Sequence, residues 1–264
     1  MVSDSLELSI QGDGDGVIAT LVNALGDLPT AMPDYVLVGG LAVIVRVAGA
    51  HRVTRDVDAI TWSPDGTNDA AIAVLVDAGA ERTVNGACFE GVEIDVIATG
   101  DFTEDDVVAL DEYDRAFITS HRWAFDSAES VQIVVFTRDG VQASTAVSLA
   151  TPSALVAMKL GAIPRRKLAN PAKRASDLYD IYRLIQVFNR RGEVATNLGR
   201  APHELGPWCQ DQLRGLLVDQ AERSSLWLAT EGSPAMQAVS ADDLRAVGEV
   251  VVEDMSRPVD DADF

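Results

Sequence analysis

The stretches that decide the fold are Val36-Leu-Val-Gly-Gly-Leu-Ala42 and His51-Arg-Val-Thr-Arg-Asp-Val-Asp58. In the first, the apolar run Tyr35–Val38 is typical of a buried strand, and it ends at Gly39 and Gly40, after which the apolar spacing is that of a helix. Backbone N–H groups at the start of a helix favour an anion, and glycine leaves room for a phosphate to approach closely. The sequence therefore predicts a phosphate-binding turn at the two glycines.

The second stretch brings two carboxylates together. Asp56 and Asp58 lie on one face of a predicted strand over Asp56–Thr61, because side chains two apart in a strand point the same way. Like charges this close repel unless a cation lies between them, and Mg²⁺ that holds a nucleoside triphosphate prefers such ligands. Asp95, on the polar face of a predicted strand over Val92–Ala98, supplies a third carboxylate. A Gly-Gly turn or an acidic strand face alone is usually structural, but their order and spacing together favour a Mg²⁺ site for an NTP.

Composition narrows the class of protein. The chain has 264 residues with 41 acidic and 21 basic side chains, so its formal charge is -20, which speaks against a protein that coats nucleic acid. The two cysteines, Cys88 and Cys209, are too few for a disulfide framework or a zinc site. No apolar run approaches the ~18 residues of a membrane span, and the acidic start lacks the features of a signal peptide. We therefore expect a cytoplasmic protein without a membrane partner.

One segment of this acidic chain is strongly basic. The segment from Lys159 to Arg174, here called the basic stretch, carries six basic residues and no acidic one. Its basic members are Lys159, Arg165, Arg166, Lys167, Lys173 and Arg174. We expect most of it to form a loop between two helices, where it is either a local binding surface for an acidic acceptor or a solvated connection.

The remaining pattern predicts an α/β domain over residues 1–150, with a mixed sheet and flanking helices, and a helical domain over residues 151–264 that ends in an acidic tail. Residues 1–16 are expected to be a flexible leader, and residues 102–130 to hold one short helix after Thr103. Helices of the second domain are expected over Ala154–Ala162, Ala172–Arg190, Gln210–Leu228 and Ala241–Met255.

The order Gly-Gly, helix, Asp-x-Asp and a later strand aspartate resembles the nucleotidyltransferase fold of the DNA polymerase β superfamily. The segment Arg52-x-Thr54-x-Asp56-x-Asp58 resembles more closely the AbiEii branch, whose members are toxins of bacterial toxin–antitoxin pairs and include the mycobacterial MenT toxins. In the second half, Lys159-Leu160-x-Ala162 and Arg174-x-x-Asp177-Leu-Tyr-Asp180 resemble the second signature of that branch. Together the matches span about residues 35–185.

The resemblance implies a Mg²⁺-dependent nucleotidyltransferase that moves nucleotides from an NTP to an RNA acceptor, with the tRNA 3′ end as the best candidate, and so blocks growth. It also implies a cognate antitoxin. Asp56, Asp58 and Asp95 would hold the metal and act in catalysis. Lys159 would contact the triphosphate, and Asp177 would orient it or a catalytic water. The further candidate substrate-binding residues are Gly39, Gly40, Arg52, Thr54, Arg165, Arg166, Lys167, Arg174 and Asp180.

Two other functions remain open at this point. A small-molecule nucleotidyltransferase of the aminoglycoside-modifying kind shares the first motif, but a small substrate does not need six clustered cations. A non-catalytic, nucleotidyltransferase-like binding module would act through a partner, but it has no reason to keep the two repelling carboxylates Asp56 and Asp58. For Lys159 and Asp177, a purely structural ion pair between packed helices is the alternative.

Overall fold

The computed structural model describes residues 6–12, 14–32, 34–49, 54–64, 66–166 and 170–257. By its internal contacts the chain divides into two compact units. The first consists of Met1–Leu110 and Ala124–Thr151, and the second of Asp111–Trp123 and Pro152–Phe264. Residues 111–123, which precede the boundary expected at residue 150, group with the second unit. Within the described residues, no helix is both long enough and apolar enough to cross a membrane.

The first unit contains a mixed sheet with the strand order β1-β7-β8-β2-β3-β6-β5-β4. Its strands are β1 (Leu6–Gln11), β2 (Tyr35–Val38), β3 (Asp56–Trp62), β4 (Glu81–Arg82), β5 (Gly86–Phe89), β6 (Val92–Thr99), β7 (Glu129–Thr137) and β8 (Gly140–Leu149). Its helices are α1 (Val17–Ala31), α2 (Gly39–Val47), α3 (Asp69–Asp77) and α4 (Glu104–Val108). A mixed sheet with flanking helices is the predicted fold class for this half, and the structure confirms it.

Strand β3 lies at the centre of the arrangement that matters for function. It pairs antiparallel with β2 and parallel with β6. In this register Asp58 lies opposite Val38 on one side and Asp95 on the other. Val57 and Ala59 are fully buried, and because side chains alternate along a strand, the aspartates of β3 lie on the opposite face. The core beneath β3 therefore fixes the direction of its carboxylates.

The expected flexible leader is wrong for the part that the structure describes. Strand β1 runs parallel to β7, with Ile10 opposite Val135 and fully buried. Leu6, Leu8 and Ile10 alternate with polar residues, and this alternation is the signal of a half-buried strand. The strand was missed because the glycine-rich and aspartate-rich run that follows it suggested a flexible segment.

A buried arginine, which sequence reasoning missed, ties α2 to the sheet. Arg46, in the last turn of α2, donates from Nε to the carbonyl oxygen of Ala150 at 2.9 Å and from Nη2 to that of Leu149 at 3.0 Å. Its Nη1 lies 2.8 Å from a carboxylate oxygen of Glu129. These contacts satisfy a guanidinium that is 5% exposed, and they anchor the helix whose other end begins at Gly39.

The second unit is helical. It includes α5 (Glu112–Asp126), of which the residues up to Trp123 belong to this unit. Its other elements are α6 (Pro152–Arg166), α7 (Pro171–Phe188), α8 (Glu193–Gly199), α9 (Leu205–Leu213), a π-helix (Arg214–Asp219), α10 (Ala221–Glu231), α11 (Pro234–Gln237) and α12 (Ala241–Met255). The apolar faces of α6 and α7 pack together around Leu160, Leu178 and Ile181, which are fully buried. A helical C-terminal half is thus confirmed.

Three expectations for helices need correction. Helix α6 continues through Pro164, so Arg165 and Arg166 lie in its last turn and not in a loop. Proline removes one backbone N–H donor there, while the two arginine side chains make ion pairs with Asp114 and Asp177. The single helix expected over Gln210–Leu228 is divided among α9, the π-helix and α10. Helix α5 was missed because its first turn is acidic and its composition is polar overall, although its apolar residues recur at helical spacing.

A buried histidine makes the stability of the second unit depend on pH. The rings of Phe117 and His121 on α5 lie with their centroids 4.0 Å apart, and His121 Nδ1 lies 2.6 Å from the carbonyl oxygen of Phe117. Burial, assisted by the charge of Arg165 and opposed by the hydrogen bond to Phe117, lowers the pKa of His121 from its ordinary value of 6.5 to about 4. Below pH 6.5 the unfolded state therefore takes up a proton that the native state resists, so stability falls as the pH drops toward 4.

We expect the free energy of unfolding to fall by about 2 kcal/mol between about pH 7.5 and pH 5 because of His121, at about 1.4 kcal/mol per pH unit below its unfolded pKa. Urea denaturation of the wild type and of His121→Gln at both pH values measures this contribution. The variant should lose less stability on acidification than the wild type. An equal loss in the two proteins would assign the effect to other groups.

Candidate functional site

Three carboxylates meet on the polar face of the sheet. Asp56, Asp58 and Asp95 each offer an oxygen, and these oxygens all lie within 4.8 Å of one another. The parallel register of β3 and β6 sets Asp58 beside Asp95, and Asp56 follows on the same face two residues away. All three side chains are half-buried. The structure thus brings together the three aspartates that the sequence pattern predicts as metal ligands.

The spacing of these oxygens fits a divalent cation. Ligands of an octahedral Mg²⁺ at about 2.1 Å stand about 3 Å apart when adjacent and about 4 Å apart when opposite. A spread of up to 4.8 Å therefore needs side-chain shifts of under about 1 Å to close around the ion. Carboxylate oxygens are also the donors that hard cations prefer. The triad can hold Mg²⁺, with coordination positions left for water and for phosphate oxygens.

The two glycines at the end of β2 lie directly against this triad. Helix α2 begins at Gly39, which has a φ of 68°, and a β-carbon on Gly39 would overlap the carboxylate of Asp58. The backbone N–H of Gly40 donates a long hydrogen bond of 3.4 Å to Asp58 Oδ2. Glycine is therefore required at position 39 to seat Asp58. The phosphate contact expected of Gly39 and Gly40 stays a prediction.

Thr54 supports a second member of the triad. Its hydroxyl donates a hydrogen bond of 2.9 Å to Asp56 Oδ1, and the threonine is buried. A hydrogen bond to one carboxylate oxygen restricts the rotation of the group, and it thereby helps to orient the carboxylate within the triad. In the structure the hydroxyl of Thr54 is directed to Asp56, and the substrate-binding role suggested for Thr54 by the sequence stays a prediction.

We expect Thr54→Val to lower nucleotide transfer about 10-fold, because a hydrogen bond to a charged group is lost while the side-chain volume is kept. The Mg²⁺ concentration for half-maximal rate should rise. Thr54→Ser keeps the hydroxyl and should restore most of the activity, which makes it the matched control. Initial rates over a Mg²⁺ titration measure both effects. Equal Mg²⁺ dependence in the valine variant and the wild type would contradict this role.

The second motif forms a cluster of four charged residues in the second unit, here called the charge cluster. Lys159 Nζ lies 2.7 Å from Asp177 Oδ1 and 2.9 Å from Asp180 Oδ2, and Arg166 Nε donates to Asp177 Oδ2 at 3.2 Å. Both carboxylates are almost fully buried. They lie one turn apart on the same face of α7, and the packing of α6 against α7 brings Lys159 into contact with both. Asp180 pairs with Lys159 in the structure, and the substrate-binding role suggested for it stays a prediction.

Two cations of the basic stretch make other contacts within the second unit. Arg165 forms an ion pair with Asp114, and its guanidinium carbon lies 4.4 Å from the ring centroid of Phe117. Arg174 stacks on Trp227 at 3.9 Å. Sequence reasoning did not identify these partners, since both are far away along the chain. Arg52 and Lys167, two further predicted substrate-binding residues, lie outside the described residues.

Comparison with known proteins places the chain in a family. None of the curated proteins matches it in sequence. A crystal structure of an antigenic nucleotidyltransferase-like protein from Paracoccidioides brasiliensis is similar over 75% of this chain and 94% of that one, with 18% identity and a TM-score of 0.41. The family model described as nucleotidyl transferase AbiEii toxin of the type IV toxin–antitoxin system matches residues 23–227. The chain therefore belongs to the AbiEii family of nucleotidyl transferase toxins.

Proposed function

We propose that this nucleotidyltransferase uses Mg²⁺ to transfer nucleotides from an NTP to an RNA acceptor and thereby arrests growth until its antitoxin binds. Family membership supports the nucleotidyltransferase, the NTP and the antitoxin partner. The observation that carries the metal dependence is the triad of Asp56, Asp58 and Asp95. The tRNA 3′ end, the acceptor implied by the resemblance to the MenT toxins, is our first candidate.

Each group of the site has a proposed task. When bound, Mg²⁺ would neutralise the phosphates and favour the departure of pyrophosphate. Asp56 and Asp58 would hold the ion through the oxygens that Thr54 and Gly40 help to orient. Asp95 would hold the ion and accept the proton of the attacking hydroxyl. For Lys159, which belongs to the second unit, contact with the triphosphate stays a prediction; in the structure its Nζ pairs with Asp177 and Asp180.

The basic stretch supports a polyanionic acceptor. It carries six basic residues in a chain of net charge -20, so positive charge is concentrated in this segment, although Lys159, Arg165 and Arg166 are paired with carboxylates. Binding of RNA to such a surface releases counterions and weakens as salt is added. The proposal therefore includes a salt-dependent affinity for RNA.

A small-molecule nucleotidyltransferase is the second candidate function. The observation that favours it is the internal use of Arg165 and Arg174, which contact Asp114, Phe117 and Trp227. Those contacts leave fewer cations of the basic stretch for a large acceptor.

One experiment separates the candidates. The protein is incubated with Mg²⁺ and each labelled NTP in turn, together with total bacterial RNA or with a panel of aminoglycosides. Label in the tRNA band supports our proposal, label in an aminoglycoside supports the second candidate, and label in another RNA changes the acceptor alone. Absence of transfer to any acceptor, with the protein folded and Mg²⁺ present, would contradict both.

A further inference from the structure

The charge cluster holds more buried charge than packing alone requires. The side chains of Asp177 and Asp180 are 1% and 0% exposed, and that of Lys159 is 10% exposed. Buried ion pairs contribute little to stability compared with apolar residues of similar size, because each ion loses its hydration. Ionisable groups in buried environments also cluster at functional sites, where their surroundings adjust them to binding or catalysis. The charge cluster is thus a candidate for ligand binding.

Arg166 is the member of this cluster that reaches solvent. Its side chain is 35% exposed, while its Nε donates to Asp177 Oδ2. A guanidinium has two usable edges, and a bond through Nε leaves the Nη1–Nη2 edge for a second oxyanion. The charge of Lys159, in contrast, is enclosed by two carboxylates.

Arg165, the sequence neighbour of Arg166, makes a different set of contacts. Arg165 places its guanidinium over Phe117 and pairs with Asp114, which is itself about half exposed. The partner of Arg166 is instead the buried carboxylate of Asp177, and that carboxylate is fixed from its other oxygen by Lys159. Arg166 is therefore held from the interior side of the cluster, and its far edge is directed away from the contact with Asp177.

We propose that Arg166 binds a phosphate group of the NTP triphosphate through its Nη1–Nη2 edge, and that Asp177 is the positioning residue that holds the guanidinium for it. The inference rests on the proposed function, because it takes an NTP as the substrate. A fixed, partly buried fork suits a terminal phosphate, which accepts two parallel hydrogen bonds, better than a mobile RNA backbone. Asp177 then acts through Arg166, where the sequence pattern suggested contact with the triphosphate or a water.

Binding measured without transfer tests this proposal. Titration calorimetry with Mg²⁺ and no acceptor gives the Kd for each NTP and for inorganic tripolyphosphate. We expect Arg166→Ala to raise both values about 10- to 100-fold, and Arg166→Lys, which keeps the charge but loses the fork, to raise them about 10-fold. Arg190→Ala removes an exposed arginine from the same unit and serves as the charge-matched control; its Kd values should equal those of the wild type.

The positioning role of Asp177 predicts coupling between the two residues. As a single change, Asp177→Asn should weaken tripolyphosphate binding about 10-fold. Added to Arg166→Ala, it should have little further effect, because the guanidinium that Asp177 orients is already absent. Additive effects in the double variant would contradict the positioning role. Thermal unfolding of each variant shows whether it is folded. The arginine-to-lysine change keeps a partner for Asp177 and tests the fork if the alanine variant does not fold.

The outcomes separate this inference from the function on which it rests. Wild-type binding of an NTP with unchanged Kd in Arg166→Ala would overturn the inference and leave the nucleotidyltransferase intact. Unchanged tripolyphosphate binding with weaker binding of RNA would assign Arg166 to the acceptor, which also overturns it. A wild-type protein that binds no NTP would contradict the proposed function itself.

Discussion

Asp58→Asn is expected to lower nucleotide transfer by about 1000-fold or more while the protein stays folded, because the change removes a proposed ligand of the metal that would stabilise the leaving pyrophosphate. Asp58 lies between Val38 and Asp95 in the register of the sheet. An asparagine keeps the shape of the side chain and an oxygen that can accept from the N–H of Gly40. It also removes one of three mutually repelling charges, so stability should not fall.

The measurement compares the transfer of labelled nucleotide and the thermal midpoint in the wild type and the variant. Asp77→Asn makes the same chemical change at an exposed position in the last turn of α3, and it should leave both quantities unchanged. A folded Asp58→Asn protein that transfers nucleotide at the wild-type rate would show that the metal is not held by this triad.

The triad was predictable because it depends on rules that act over short distances. Alternation along a strand sets Asp56 and Asp58 on one face, and the same rule sets Asp95 on the polar face of its own strand. The remaining step was the pairing of β3 with β6, which the apolar faces of both strands favour. The sequence also predicts a turn at Gly39 and Gly40. The structure shows a second need for glycine at position 39, because a β-carbon there would overlap the carboxylate of Asp58.

The partners of the cations were not predictable in the same way. An ion pair depends on where another element lies in space, and nothing near Arg165 or Arg174 in sequence identifies Asp114 or Trp227 as its partner. Both partners of Arg165, Asp114 and Phe117, lie on α5, which the sequence analysis did not predict. A basic sequence segment therefore indicates where positive charge is concentrated, but the folded structure decides which of its side chains can bind a ligand.

Gly39→Ala is expected to lower nucleotide transfer by about 100-fold or more, because the methyl group would displace the carboxylate of Asp58 from the proposed metal site. Two separate effects are combined at this residue. A left-handed φ costs any residue with a β-carbon about 1–2 kcal/mol, and here the new carbon would also overlap Asp58 Oδ2 and its carboxyl carbon. The first effect lowers stability, whereas the second displaces a proposed metal ligand.

Gly16→Ala separates the two effects. Gly16 has a φ of 71°, close to the 68° of Gly39, and it also lies at the start of a helix, but a β-carbon there would meet nothing within 4 Å. This control should lose about 1 kcal/mol of stability and keep full activity, since it carries the backbone strain without the overlap. Transfer rates and urea unfolding of both variants provide the comparison. Equal activity in the two alanine variants would show that Gly39 is needed only for its backbone conformation and that Asp58 tolerates displacement.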